Sequence, residues 1–87
     1  MTVEALRRRR PETLDDLLAT YGKQIQGVAY LILRDQADAE DVVVETLLTA
    51  FERGGSIREE RALRAWLIRV ATNHALGQRR PRSGYYL

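Results

Sequence analysis

Apolar side chains recur at spacings of three and four residues in three separate stretches of this 87-residue chain. That spacing follows the 3.6-residue turn of an α-helix, and no stretch shows the alternation expected of a half-buried strand. The three sets are Leu14, Leu17, Leu18, Tyr21, Ile25, Val28, Ala29 and Ile32; Ala39, Val42, Val43, Thr46, Leu47 and Ala50; and Leu63, Trp66, Leu67, Val70, Ala71 and His74. The sequence therefore predicts an all-α fold, a small bundle of three main helices.

The first two helices have recognisable ends. Pro11 suits a first helical turn, and the first helix is expected to reach about Leu33, as one element or broken into two. Gly22 and Gly27 lie inside it, where a small side chain would allow a close helix crossing. Asp35 and Asp38 predict the start of the second helix, as a cap and a first-turn acid, and Gly54-Gly55 predicts its end.

The start of the third helix has two interpretations. Ser56 and Glu59 match a capping box, whereas a later start would leave Gly54 to Glu60 as a loop. Its apolar pattern fades before Pro81. We therefore expect one helical domain over residues 12–80, with a flexible basic tail at residues 1–11 and a flexible tail at residues 81–87.

Several residues are of types that often have functional roles, but here a structural role is favoured for each of them. The run from Arg7 to Arg10 is expected to be a solvated tail, with phosphate binding as the minority interpretation. Trp66 and His74 share the apolar stripe of the third helix, so core packing is favoured over base stacking and over proton transfer. Tyr85 and Tyr86 are expected to be disordered near the terminus.

Composition excludes several kinds of site. The chain has no cysteine and one histidine, so disulfides, Cys-ligated metals and His-cluster metal sites are not expected. It has no apolar stretch long enough for a signal peptide or a membrane span. We expect a cytoplasmic protein with no cofactor, no metal, no catalytic residue and no small-molecule substrate.

Charge is segregated along the chain although the net charge is only +2. Residues 1–33 carry five bases and four acids, residues 34–53 two bases and six acids, and residues 54–87 seven bases and two acids. The middle is therefore acidic and the end basic, which indicates two different macromolecular partners.

On a helical wheel the acids of the second helix form one ridge, beside which Val44 and Leu48 face outward. Apolar groups among like charges are typical of an interface with a basic partner, although helices also carry acids outward with no partner. A row of acids in one wet environment does not suit acid–base catalysis. The ridge consists of Asp38, Asp41, Glu45 and Glu52.

Arginines cluster on the opposite side of the third helix from Trp66. Guanidinium groups pair with phosphates and an amide can contact a base edge, so this pattern predicts a nucleic-acid surface, with a solvated arginine face as the alternative. The candidates are Arg61, Arg69, Arg79 and Arg80, with Arg58, Arg64, Arg82 and Asn73 nearby.

Two of these stretches resemble a known family. RDQADAEDVVVETLLTAF, from Arg34 to Phe51, resembles region two of bacterial RNA polymerase sigma factors of the extracytoplasmic-function (ECF) group. ALRAWLIRVATNHAL, from Ala62 to Leu76, resembles the Trp-Leu-x-x-Ile-Ala-x-Asn pattern of the same domain, with Val70 in the Ile place. The two motifs occur in the family's order and spacing, and the resemblance covers about residues 12 to 82.

The resemblance implies a transcription initiation domain that binds core RNA polymerase and recognises and melts the promoter −10 element. The acidic helix would bind the clamp helices of the polymerase's largest subunit. The basic half would bind the non-template single strand, with a base flipped out near the loop before the Trp helix. An anti-sigma protein is a further implied partner. The polymerase residues would be Asp38, Asp41, Val44, Glu45, Leu48 and Glu52, and the DNA residues Arg58, Arg61, Arg64, Arg69, Asn73, Arg79 and Arg80.

The sequence departs from the family pattern at three positions. The family usually has Gln at Val44, where it supports the polymerase contact, and frequently has Tyr at Ile68 and Arg at Thr72. The helix-turn-helix domain that reads the −35 element is absent from these 87 residues, so we expect either a truncated chain or an isolated domain. The alternatives are a protein-interaction module of the same fold without DNA-melting activity, and a duplex-DNA binder.

Overall fold

The short stretch between Leu33 and Gln36 shows how local signals set the helix ends. The computed structural model describes residues 2–8, 10 and 12–84, and of residues 2, 5 and 80–84 it describes the backbone alone. Arg34 adopts a left-handed conformation with φ 55°, and its N–H donates to the Tyr30 carbonyl at 2.8 Å. Asp35 then caps the next helix, because its carboxylate accepts the Asp38 N–H at 2.9 Å. The predicted acidic cap is therefore confirmed.

Within the described residues the chain forms four α-helices and one 3₁₀ turn, which confirms the predicted all-α class. Helix α1 spans Thr2–Arg8, α2 Thr13–Leu33, α3 Gln36–Arg53 and α4 Glu60–Gly84, and the 3₁₀ turn spans Gly54–Ser56. Helices α2, α3 and α4 pack against one another, as the three predicted helices do.

The core lies between these three helices, and each contributes one apolar stripe. In α2 the buried stripe repeats every four residues, from Leu17 through Tyr21 and Ile25 to Ala29. In α4 it repeats the same way, and in α3 it includes small residues that let the helices approach closely. The buried residues of α3 are Ala39, Val42, Val43, Thr46, Leu47 and Ala50, and those of α4 include Leu63, Leu67, Ala71 and Ala75.

Helix α2 is one unbroken element, as first expected, but its glycines do not mark a helix crossing. A Cβ added to Gly22 would lie 2.9 Å from Leu18 Cδ1, one turn earlier in the same helix, and one added to Gly27 would meet no neighbouring atom. Gly22 therefore makes room for the Leu18 side chain.

The N-terminal tail predicted for residues 1–11 is wrong for Thr2–Arg8, which form helix α1. Its Val3 and Leu6 are only 3% and 0% exposed, because α1 packs on the 3₁₀ turn and on the neighbouring ends of α2 and α4. An amphipathic turn of helix buries apolar surface that a free tail would leave in water. The four arginines from Arg7 to Arg10 gave this segment the composition of a solvated tail, so Val3 and Leu6 were not assigned to the core.

The last helix differs from expectation at both ends. It begins at Glu60, so Ser56 does not cap it and the later start is correct. It continues through Pro81 to Gly84, past the end that proline predicts, since the preference of the residue before a proline is a bias and not a prohibition. Residues 85–87, including Tyr85 and Tyr86, lie outside the described residues.

Candidate functional site

Helix α3 places its acids on an outward face. Asp41, Glu45 and Glu52 are exposed, and Asp38 is half-buried near the cap of the helix. The Asp41 side chain makes no hydrogen bond or ion pair with any other residue in the described part of the chain. We call Asp38, Asp41, Glu45 and Glu52 the acidic face.

Apolar side chains lie beside the acidic face, as the helical wheel predicts. Val44 is 56% exposed and Leu48 49% exposed. The structure adds Leu18 of α2, which was assigned to the core stripe but is 50% exposed. Leu18, Val43 and Val44 line a shallow groove of about 310 Å³ between α2 and α3, bordered by Lys23 and Glu40.

His74 joins α4 to the acidic face. Its Nδ1 lies 3.4 Å from Glu45 Oε2, and its Nε2 lies 3.3 Å from the Thr49 hydroxyl. The Thr49 hydroxyl also donates to the Glu45 carbonyl at 2.9 Å. The His74 ring is half-buried, as expected of a residue packed between helices. Its contacts with Glu45 and Thr49 are polar, however.

A cleft of about 450 Å³ lies between α3 and α4. One part of the Trp66 ring packs against the core, and another part lines the cleft. Trp66 is therefore a packing residue that is also accessible from the cleft. The cleft brings a carboxylate, a guanidinium, an amide and an imidazole around one aromatic edge. It is lined by Thr49, Glu52, Arg53, Trp66, Val70, Asn73 and His74.

This cleft combines residues that the sequence assigned to different surfaces. Glu52 was assigned to polymerase binding and Asn73 to DNA binding, yet both line the same space. Arg53 was not a candidate at all. Its place after Glu52 at the end of α3, beside the glycine turn, was the available signal.

The arginines of α4 and its preceding loop lie on the surface where they are described. Arg58, Arg61, Arg64, Arg69 and Arg79 are exposed, whereas the side chains of Arg80 and Arg82 lie outside the described residues. Spacings of eight and eighteen residues place Arg61, Arg69 and Arg79 on a common side of the helix.

Arg64, although exposed, lies close enough to the buried Tyr21 of α2 to affect its ionisation. Its charge acts to lower the pKa of Tyr21, whose hydroxyl donates to Glu60 Oε2 at 2.8 Å. Burial and the hydrogen bond to Glu60 outweigh Arg64 and raise the pKa of Tyr21 to about 12. This contact fixes the start of α4 against α2.

Among the described residues, no group of histidine, aspartate and glutamate side chains could hold a metal ion. Within the same part of the chain, no helix carries an apolar stretch that could span a membrane.

The model of the family described as Sigma-70 region 2 matches residues 17–84, which include α3, the cleft and α4. The chain belongs to this family. It is a region-two domain of the ECF group of bacterial sigma factors, as the two sequence motifs indicated.

Curated relatives agree with this sigma region-two assignment. The chain is 32% identical over 73 residues to the RNA polymerase sigma-H factor of Pseudomonas aeruginosa, covering 84% of the chain and 38% of that protein. It is 32% identical over 66 residues to the ECF RNA polymerase sigma factor SigM of Mycobacterium tuberculosis, covering 76% of the chain and 34% of that protein.

The ECF RNA polymerase sigma factor SigW of Bacillus subtilis is 26% identical over 86 residues, covering 98% of the chain and 46% of that protein. The chain therefore spans less than half the length of the curated relatives it matches. No solved structure matches it at a significant level.

Proposed function

We propose that this sigma region-two domain binds core RNA polymerase through α3 and captures single-stranded promoter DNA of the −10 element on α4 and in the α3–α4 cleft. Family membership supports a role in transcription initiation. The observation that carries the proposal is the cleft, because it places hydrogen-bonding side chains around Trp66 where the acidic helix meets the arginine-bearing helix.

The polymerase contact is supported by the composition of α3. A partner with basic and apolar side chains, as implied for the clamp helices of the largest subunit, would pair with Asp41 and Glu45 and bury Val44 and Leu48. Burying exposed apolar area stabilises the complex, and the acids select the sign of the partner. An anti-sigma protein would compete if it covered this same surface.

The DNA contact is supported by the surface of α4 and the loop before it. Phosphates would bind Arg58, Arg61, Arg69 and Arg79, and each contact would release counterions. Unstacking one base costs a few kcal/mol, which these contacts can offset. The cleft is large enough for a base, and Asn73 can donate to and accept from its edge.

The described side chains favour polar capture over stacking. Trp66 is half-buried against the core, so only part of its ring is available to a base. The domain acts by binding alone and makes or breaks no covalent bond.

One pair of measurements tests this function. The domain is titrated with a labelled non-template strand of a −10 element and with the matching duplex, alone and with core polymerase. We expect binding to core polymerase and a preference for the single strand. A preference for the duplex would indicate the duplex-binding alternative.

A second candidate is a protein-interaction module of the same fold that does not melt DNA. The exposed apolar surface of Leu18, Val44 and Leu48 favours it, since Val44 replaces the glutamine typical of the family. Polymerase binding without any single-strand binding would support this candidate and contradict DNA capture.

A further inference from the structure

The N-terminal helix α1 has a buried apolar side and an exposed charged side. Val3 and Leu6 are buried, while Arg7 and Arg8 in its last turn are exposed. Arg10 follows, also exposed. The start of the arginine run is therefore carried by a helix that packs against the rest of the domain.

Helix α1 docks on the glycine turn that ends α3. A Cβ on Gly54 would lie 3.2 Å from Leu6 Cδ1 and 3.6 Å from the Trp66 ring, so the absence of a side chain at Gly54 admits Leu6. The φ of Gly54 is −80°, which any residue can adopt. Close approach of α1 is thus the structural reason for glycine at this position.

The docked helix brings Arg7 next to the loop that leads into α4. The Arg7 Cα lies 3.9 Å from the Cβ position of Gly55. Arg58 follows Gly55 by three residues, a separation of at most about 11 Å along the backbone. A single-stranded nucleic acid bound at Arg58 would therefore reach Arg7 within a few nucleotides along its length.

We propose that α1 is a second phosphate-binding element, in which Arg7 and Arg8 bind the backbone of a single-stranded nucleic acid held at the Gly54–Ser56 turn. This inference rests on the proposed function of α4 and its loop. It assigns a role to a basic segment outside residues 17–84, the part of the chain that the family model matches.

The sign of the charge argues against α1 as an inhibitory cover of the turn. A segment that competes with DNA for arginines would carry acids, whereas α1 presents Arg7 and Arg8 with Glu4 as its acid. Arg8 lies 3.7 Å from Glu4, and both side chains are exposed. Such a surface pair contributes little, so a phosphate can replace the carboxylate.

The test measures affinity for a fluorescein-labelled single-stranded DNA of mixed sequence over a salt series. The double variant Arg7→Gln/Arg8→Gln removes two charges and keeps helix propensity. We expect the slope of log affinity against log salt to flatten by about 0.7 for each lost phosphate contact, up to about 1.4. Lys23→Gln, on the exposed side of α2, is the single-charge control and should leave the slope unchanged.

A second variant separates the position of α1 from its charge. Leu6→Ser undocks α1 and keeps every arginine, so binding should weaken as in the double glutamine variant. Adding Leu6→Ser to Arg7→Gln/Arg8→Gln should then cause no further loss. Circular dichroism checks that α2, α3 and α4 remain folded.

Three outcomes would overturn the inference: an unchanged salt slope in the glutamine variant, tighter binding in Leu6→Ser, or fully additive losses. If Arg69→Gln flattens the slope and the α1 variant does not, the α1 inference alone fails. If the unmodified domain binds no single strand, the proposed function itself fails.

Discussion

The Nδ1 atom of His74 lies 3.4 Å from Glu45 Oε2, so a side chain of α4 contacts the middle of the acidic face of α3. The Thr49 hydroxyl donates to the Glu45 carbonyl, which leaves its oxygen to accept from His74 Nε2. His74 therefore links α4 to Glu45 and Thr49 on the outer part of α3.

This relationship predicts a small energetic coupling. In a double-mutant cycle of His74→Ala and Glu45→Ala, we expect a coupling of about 0.2–1 kcal/mol in the free energy of unfolding, because both side chains are partly exposed. Urea denaturation measures it. A matched cycle of His74→Ala with Asp41→Ala should give none, and equal couplings in both cycles would contradict the contact.

Asp41 is the cleanest probe of the acidic face, because its side chain is exposed and makes no hydrogen bond or ion pair with another described residue that a substitution would break. Asp41→Lys should change the free energy of unfolding by less than about 0.5 kcal/mol. It should weaken binding to core polymerase by roughly tenfold or more, since like charges would face each other. Adding Glu45→Lys should abolish binding with helicity intact.

The matched control for this charge reversal is Asp16→Lys, on the exposed first turn of α2. Polymerase binding is measured by fluorescence anisotropy of the labelled domain. Equal losses for Asp41→Lys and Asp16→Lys would indicate a general charge effect, and undiminished binding of Asp41→Lys would remove α3 from the interface.

A substitution at Val44 separates two interpretations of the exposed apolar surface beside the acidic face. One is a polymerase interface like that of the family, and the other is an interface that binds its partner through apolar side chains. It is exposed and contributes little to the core, so Val44→Gln should leave stability within about 0.5 kcal/mol. If the interface is that of the family, one added hydrogen bond should tighten polymerase binding by roughly two- to tenfold. Weaker binding would mean that the partner contacts Val44 through apolar surface.

The helices could be predicted because their signals are local. Apolar periodicity, the Asp35 carboxylate and the glycines after Arg53 act on residues within a few positions of themselves. The exposed acids of α3 follow from the same periodicity. The reason for a glycine at position 54 is not local, however. The left-handed conformation that favours glycine at a helix end occurs at Arg34 and not at Gly54. Gly54 instead leaves room for the Leu6 side chain of α1.

The cleft and the docking of α1 could not be predicted, because they depend on how separate elements pack. Glu52, Trp66 and His74 meet only through the relative rotation and offset of α3 and α4, which a helical wheel does not contain. Leu18 was assigned to the core from its spacing, but it lies at the edge of the stripe. Whether a residue at such an edge is buried or exposed depends on how the neighbouring helix packs against it.

Arg69 tests the nucleic-acid surface of α4. Arg69→Gln should flatten the salt dependence of single-strand binding by about 0.7, which corresponds to one lost phosphate contact. The side chain is exposed, so the folded domain should be unaffected. Lys23→Gln again supplies a control, and an unchanged slope would mean that Arg69 is solvated and takes no part in binding. The same neutralisation at Arg80 extends the test to a side chain that the structure does not describe.

Tyr21 predicts how the stability of the domain depends on alkaline pH. Burial, and then the hydrogen bond to Glu60, raise the pKa of Tyr21 to about 12 from 10.0 in the unfolded chain. The folded state thus holds this proton more tightly, and its contribution is fully present below pH 10.0 and lost as pH rises through about 12. A shift of this size corresponds to roughly 2–3 kcal/mol.

We therefore expect the free energy of unfolding to fall more steeply between pH 10 and 12 in the unmodified domain than in Tyr21→Phe. Tyr30→Phe, which removes an exposed hydroxyl, should retain the steep fall and serves as the control. Urea denaturation at each pH measures the slopes. Parallel curves for Tyr21→Phe and the unmodified domain would show that the contact between Tyr21 and Glu60 does not stabilise the attachment of α4 to α2.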